Sequence, residues 1–121
     1  MSFTTLEVSE LTGASLRQLQ HWRERGWIPT SRSGHNQLWD ERALRKAALF
    51  ARVGKNGLGF MRKLARLPDA IFDRRFFLFH AVKGKDTAIP KSLVAATDER
   101  SEVIRIANAA NHGIMMVELP L

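Results

Sequence analysis

Between Gly13 and Trp27 the chain reads Gly-Ala-Ser-Leu-Arg-Gln-Leu-Gln-His-Trp-Arg-Glu-Arg-Gly-Trp, a segment with a start, a stop and two chemically different faces. Ser15 and Gln18 stand at the spacing of a capping box, in which the hydroxyl takes the Gln18 amide and the Gln18 side chain reaches back. Gly26 supplies the stop. Between them Leu16, Leu19 and Trp22 recur at every third position and predict one packed face, which leaves Arg17, Gln18, Gln20, His21, Glu24 and Arg25 facing outward. Upstream, Thr4 or Thr5 can cap a helix running to Thr12 with Leu6, Val8 and Leu11 buried. Gly13 is the left-handed residue that turns one helix into the next. Two short helices joined by a glycine turn are the pattern with which a chain lays one helix in the major groove of DNA.

The net charge of +7 is unevenly placed. Residues 1–67 carry 12 Lys and Arg against 5 Asp and Glu, whereas residues 68–121 carry 7 of each. All of the excess basicity sits in the half that holds the two helices, which points to a polyanion-facing module followed by a neutral one with another task. A chain of 121 residues buries roughly two-thirds of its unfolded surface, enough for a modest core. The absence of cysteine excludes disulfides, thiolate nucleophiles and cysteine zinc sites, and suits a reducing compartment. No charged-then-apolar leader opens the sequence, and the longest apolar run, over 76–82, is interrupted by His80 and too short to span a bilayer. These features predict a cytoplasmic, bacterial nucleoid-associated protein without membrane contact.

Beyond the second helix, Trp27-Ile28-Pro29 can begin a short strand and Leu38-Trp39 return it, with the polar residues 30–37 as the tip of a wing. Asp40 caps a predicted helix over 41–53, packed through Leu44, Ala47, Ala48 and Ala51 with Arg42, Arg45, Lys46 and Arg52 outside. Gly54-Lys55-Asn56-Gly57 ends it. A fourth helix over 60–67 is apolar at Phe60, Leu64 and Leu67, basic at Arg62, Lys63 and Arg66, and closed by Pro68. A domain boundary is predicted over 68–75. Then come a strand over 76–82, a hairpin turn at 83–86, a short strand ending at Pro90 and another over 93–96. A helix capped by Asp98 or Ser101 follows, running to Asn111 with Val103, Ile104, Ala107 and Ala110 buried. His112-Gly113 stops it, and a last strand covers 114–119.

Residues 3–67 resemble the DNA-binding domain of MerR-type transcriptional regulators, a winged helix-turn-helix. The matching stretches are Phe3-Thr4-Thr5-Leu6-Glu7-Val8, Thr12-Gly13-Ala14-Ser15-Leu16-Arg17-Gln18-Leu19, Gly26-Trp27-Ile28-Pro29, Trp39-Asp40-Glu41-Arg42-Ala43-Leu44 and Leu58-Gly59-Phe60, in family order. The resemblance implies a recognition helix, a wing and two further helices. It stops there: His21-Trp22 stands where the family has a tyrosine-containing pair, and Gln37 stands where its wing carries arginine. Residues 68–121 show no heptad run for the family's long pairing helix, and without cysteine the thiolate metal sensing of some relatives is excluded.

The residues predicted to touch DNA are Ser15, Arg17, Gln18, Gln20, His21 and Arg25 on the second helix, Arg32, His35, Asn36 and Gln37 on the wing, and Lys55. Arg17, in the first helical turn, has the guanidinium fork that fits guanine or a phosphate. The alternative for each is a solvated polar face, as on any surface helix. Trp22, Trp27 and Trp39 fall at apolar-phase positions and are predicted to pack in the core. Phe76, Phe77 and Phe79 alternate along one strand, so a partner subunit is predicted to cover one of its faces. Gly54-Lys55-Asn56-Gly57-Leu58-Gly59 lacks the Gly-Lys-Ser/Thr ending of a phosphate loop. His21, His35, His80 and His112 have no metal-ligand spacing. No enzyme, cofactor or metal is expected.

The predicted fold class is α+β: an N-terminal winged helix-turn-helix over 1–67, with four short helices and a two-stranded wing, then a small α+β module over 68–121 for dimerisation or partner binding. The predicted function is a sequence-specific double-stranded DNA-binding transcriptional regulator. Specific sites demand roughly 4–10 kcal/mol of discrimination over bulk DNA, more than one small module supplies. A homodimer paired through residues 68–121, chiefly 76–82 and 114–119, is therefore expected. The alternatives are an excisionase-like architectural protein that bends DNA, and an adaptor whose C-terminal module binds a protein partner.

Overall fold

The computed structural model describes residues 1–54, 58–86, 88–110 and 113–119. Thr4 ends strand β1 (Phe3–Thr4) and caps helix α1 (Thr5–Thr12), its Oγ1 accepting from Glu7 N while Glu7 Oε1 accepts from Thr4 N. Gly13 closes α1 at φ 79°, a left-handed conformation that only glycine adopts without strain. Helix α2 (Leu16–Glu24) then starts at Ser15. Leu6, Leu11 and Leu16 were expected inside, yet they are 59%, 56% and 51% exposed. Val8, Ala14 and Leu19 fill this end of the core instead; a two-turn helix packed on one stripe buries only the residues of that stripe.

The wing strands are β2 (Ser31–Ser33) and β3 (Asn36–Trp39), joined by the two-residue turn Gly34-His35 with Gly34 at φ 61°. β1 pairs with the other side of β3, making a three-stranded antiparallel sheet where two strands were expected. Trp27-Ile28-Pro29 is not a strand: Trp27 N donates to the Trp22 carbonyl at 3.0 Å and Ile28 is fully buried, so these residues complete the exit from α2. Trp22 and Trp39 are buried as predicted, and Trp39 Nε1 donates to Thr5 Oγ1. Trp27 is half-buried.

Helix α3 (Glu41–Val53), capped by Asp40, is the centre of the core. It buries Ala43, Leu44, Ala47, Ala48, Leu49, Phe50 and Val53, and also Lys46, which the sequence places outside. Helix α4 (Leu58–Ala65) begins two residues earlier than predicted and buries Met61 and Leu64. Edge-on rings link Trp22 to Phe50 at 5.5 Å and Phe50 to Phe72 at 6.2 Å, joining α2 and α3 to a 3-10 turn at Asp69–Asp73. The stretch read as a boundary is thus bound to α3, and one continuous core holds residues from both halves, among them Val8, Phe50, Phe77 and Val117.

The remaining strands, β4 (Phe76–Lys83), β5 (Ala88–Thr97) and β6 (Ile114–Glu118), form a second antiparallel sheet with β4 in the middle. Helix α5 (Arg100–Ala110) lies against β4 and β5. Phe77 and Phe79 enter the shared core, while Phe76 and Leu78 alternate to the opposite face. All four are buried within the one chain, and the guanidiniums of Arg75 and Arg100 lie 5.2 and 5.4 Å from the Phe76 ring. The expected partner subunit is not needed to cover them. Pro90 does not end its strand, because β5 is an outer strand and Pro90 sits beside a register shift, where its missing N–H costs no ladder bond. On α5 the part-buried residues are Glu102, Val103, Ile106 and Ala110; Ile104 is 61% exposed and Ala107 is exposed too, so the helix presents a neighbouring stripe to the one predicted. Asp98 binds Arg74 and the Arg75 amide rather than the end of α5.

Candidate nucleic-acid interface

The start of α2 follows from Ser15 and Gln18: Ser15 Oγ accepts from Gln18 N at 3.0 Å and Gln18 Oε1 accepts from Ser15 N at 2.9 Å. The helix is therefore fixed at its first turn, and the Gln18 oxygen is already engaged, which leaves its Nε2 as the group that can meet a ligand. Arg17, one residue on, is exposed and has no hydrogen bond or ion pair among the described residues. Gln20 Nε2 donates to Glu24 Oε1 at 3.0 Å. Arg25 Nε donates to His21 Nε2 at 2.7 Å, its guanidinium lies 5.4 Å from the Trp27 ring, and His21 stands edge-on to that ring at 6.3 Å.

The wing joins α2 through Gln37. With its carboxamide oriented so that donors meet acceptors, Oε1 accepts from Arg23 Nη1 at 3.0 Å and Arg32 Nε at 3.3 Å, while Nε2 donates to Thr30 Oγ1 at 2.9 Å and to the Ser31 carbonyl at 3.2 Å. Arg32 and Gln37 are direct partners across the ladder. Gln37 was expected at an exposed wing tip; it is half-buried and acts as a tie between strand and helix. Arg32 and Asn36 stand in strands, and of the predicted tip residues only His35 is in the turn, beside Gly34. Sequence reasoning missed Arg23, because helical phase alone does not reveal that a wing packs beside it. Lys55 lies outside the described residues.

Ion pairs hold one group of cations to the body of the protein. Arg42 binds Asp73 at 2.6 Å and lies 3.9 Å from Asp69, Lys46 Nζ is 2.9 Å from Asp69 Oδ1, Arg74 pairs with Asp98 and Arg75 with Glu118. Arg45 donates to the carbonyls of Phe72 and Arg74. These bonds hold the Asp69, Asp73 and Asp98 carboxyls below the usual range, chiefly through the hydrogen bonds from Lys46, Arg42 and Arg74 respectively. Arg42, Arg45 and Lys46, read from sequence as an outer basic face, thus clamp the 3-10 turn to α3. By contrast, none of the ion pairs among the described residues includes Arg17, Arg23, Arg25 or Arg32. Arg17, Arg25 and Arg32 are exposed and Arg23 is half-buried, so positive charge is concentrated on α2 and the wing beside it.

Among the described residues no group of three His, Asp or Glu is placed to hold a metal, and no helix is long and apolar enough to cross a membrane. No protein-family model matches the chain, and no curated protein sequence matches it.

Proposed function

We propose that the protein is a sequence-specific double-stranded DNA-binding transcriptional regulator, with residues 3–67 serving as a winged helix-turn-helix of the MerR kind. The carrying observation is that Arg17, Arg23, Arg25 and Arg32 stand on one helix and the hairpin tied to it, all without a carboxylate partner among the described residues. In this reading α2 enters the major groove with Arg17 and the Gln18 amide toward base edges. Arg25 and His21, at the other end of the helix, approach the backbone, and Arg32, His35 and Asn36 follow the flanking phosphates. A capped first turn suits such a role, because side chains that read bases need a fixed frame.

A homodimer on a two-fold site remains part of the proposal. Its expected interface changes, since β4 is flanked on both sides and, among the described residues, the outer edges of β5 and β6 are the ones without a strand partner in that sheet.

The test is duplex binding by the intact chain across a salt series, with wild type and Arg17→Ala side by side. Log affinity should fall linearly with log salt, and the variant should lose about 1–3 kcal/mol on its preferred site and relax the preference. No affinity for any duplex at low ionic strength sinks the proposal, and an unchanged operator preference removes Arg17 from base reading.

A further inference from the structure

Between α4 and the outer strand β5 lies a cavity of about 230 Å³ with an apolar wall, formed by Phe60, Leu64, Leu67, Phe79 and Leu93. Lys63 and Lys91 also line it, both exposed, and neither ammonium has an ion pair or hydrogen bond among the described residues. A more open cleft shares Leu67 and Leu93 and continues along β5 past Val94 and Ala96. None of the α2 or wing residues lines either space.

We propose that this cavity binds a small organic monoanion, a carboxylate carried on a short acyl chain or a single aryl ring. Its apolar walls favour a hydrocarbon body through removal of that surface from water. Two ammoniums lacking carboxylate partners, set beside that low-dielectric wall, favour one negative group and disfavour a cationic amphiphile. The volume lies below the roughly 300–1,000 Å³ of drug-sized sites, which limits the body to a chain of about eight carbons or one ring. The half-buried Phe60, Leu67 and Leu93 provide the surface for the chain, with the Phe60 ring backed at 6.0 Å by the buried Phe79, and Lys63 and Lys91 hold the carboxylate. Binding here does not depend on contact with DNA.

The experiment is amide chemical-shift mapping on the intact ¹⁵N-labelled protein, titrated with octanoate below its micelle concentration and with octanol as the uncharged match. Saturable shifts are expected around residues 60–67, 79 and 91–93, with octanoate at least about tenfold tighter than octanol. A Lys63→Met, Lys91→Met double variant should keep the wild-type spectrum elsewhere, still take octanol and lose the preference for the anion. The proposal is overturned by shifts that map to another surface, by equal affinity for the two ligands in the wild type, or by a preference that survives in the double variant. It is equally overturned if only anionic vesicles, and not monomeric octanoate, bind.

Discussion

The Gln37 side-chain oxygen accepts from the Arg23 guanidinium at 3.0 Å, so the wing and the last turns of α2 form one unit. Arg32 joins the same oxygen at 3.3 Å from the facing strand. An amide can serve two guanidiniums and two further acceptors at once because it carries both lone pairs and N–H donors. An arginine at this position would place a third cation among them.

Gln37→Leu keeps the size of the side chain and removes all four bonds. The variant should fold, exchange its hairpin amides faster than wild type, and lose about 1 kcal/mol of stability, the ordinary net worth of a hydrogen bond, because the site is part-exposed. If it is also the tie that holds Arg32 in register for DNA, duplex affinity should drop, by up to what Arg32→Ala costs. An unchanged affinity would show that the tie has no part in binding.

The helix starts offer a cleaner stability test. Ser15→Ala removes an N-cap oxygen from Gln18 N and should cost about 0.5–2 kcal/mol in denaturant unfolding. Gly13→Ala meets no neighbouring atom within 4 Å, so its cost is backbone strain at φ 79° alone, about 1–2 kcal/mol. An unchanged midpoint for Gly13→Ala would mean that α1 and α2 are joined by a different turn.

The clamp between α3 and the 3-10 turn predicts an asymmetry. Lys46 is 4% exposed while Asp69 is largely in water. Asp69→Ala strands a buried ammonium, whereas Lys46→Met replaces it by an apolar chain of like shape over the Phe72 ring and returns Asp69 to solvent. Thermal unfolding should therefore show the larger loss of Tm for Asp69→Ala. The reverse order would contradict the burial of Lys46.

Acid should loosen the same region. Asp69, Asp73 and Asp98 are held below their ordinary values by the hydrogen bonds from Lys46, Arg42 and Arg74. A carboxyl depressed in the folded state contributes stability that is complete above its unfolded value and is lost as pH falls through the folded one. Stability should be flat above about pH 5 and decline below about pH 4, where unfolded aspartates begin to protonate. A triple Asn variant at these positions should start lower and show a shallower decline in that window.

Much of the frame was legible because its signals are local. Ser15 with Gln18, Asp40 with Ala43, and Gly13 act within one helical turn, and α3 spans the predicted residues. The run Phe76 to Phe79 was readable as a strand from β-propensity and length. Within the candidate interface, Arg17, Gln18, Gln20, His21 and Arg25 are exposed on α2 as periodicity required. What failed depended on distant neighbours. Leu6, Leu11, Leu16 and Ile104 were assigned inward by hydropathy, but which stripe of a short helix is buried is set by the element packed against it.

The sequence alone determined where α2 and α3 begin, which half is basic and which strand is most apolar, because caps, charge and propensity act over a few residues. The tertiary structure alone decided that Lys46 is buried beside Asp69, that Pro90 lies inside an outer strand, and that Arg23, Arg32 and Gln37 meet. Each of those depends on a partner supplied by another part of the chain, and the spacing of residues along one segment carries no record of it.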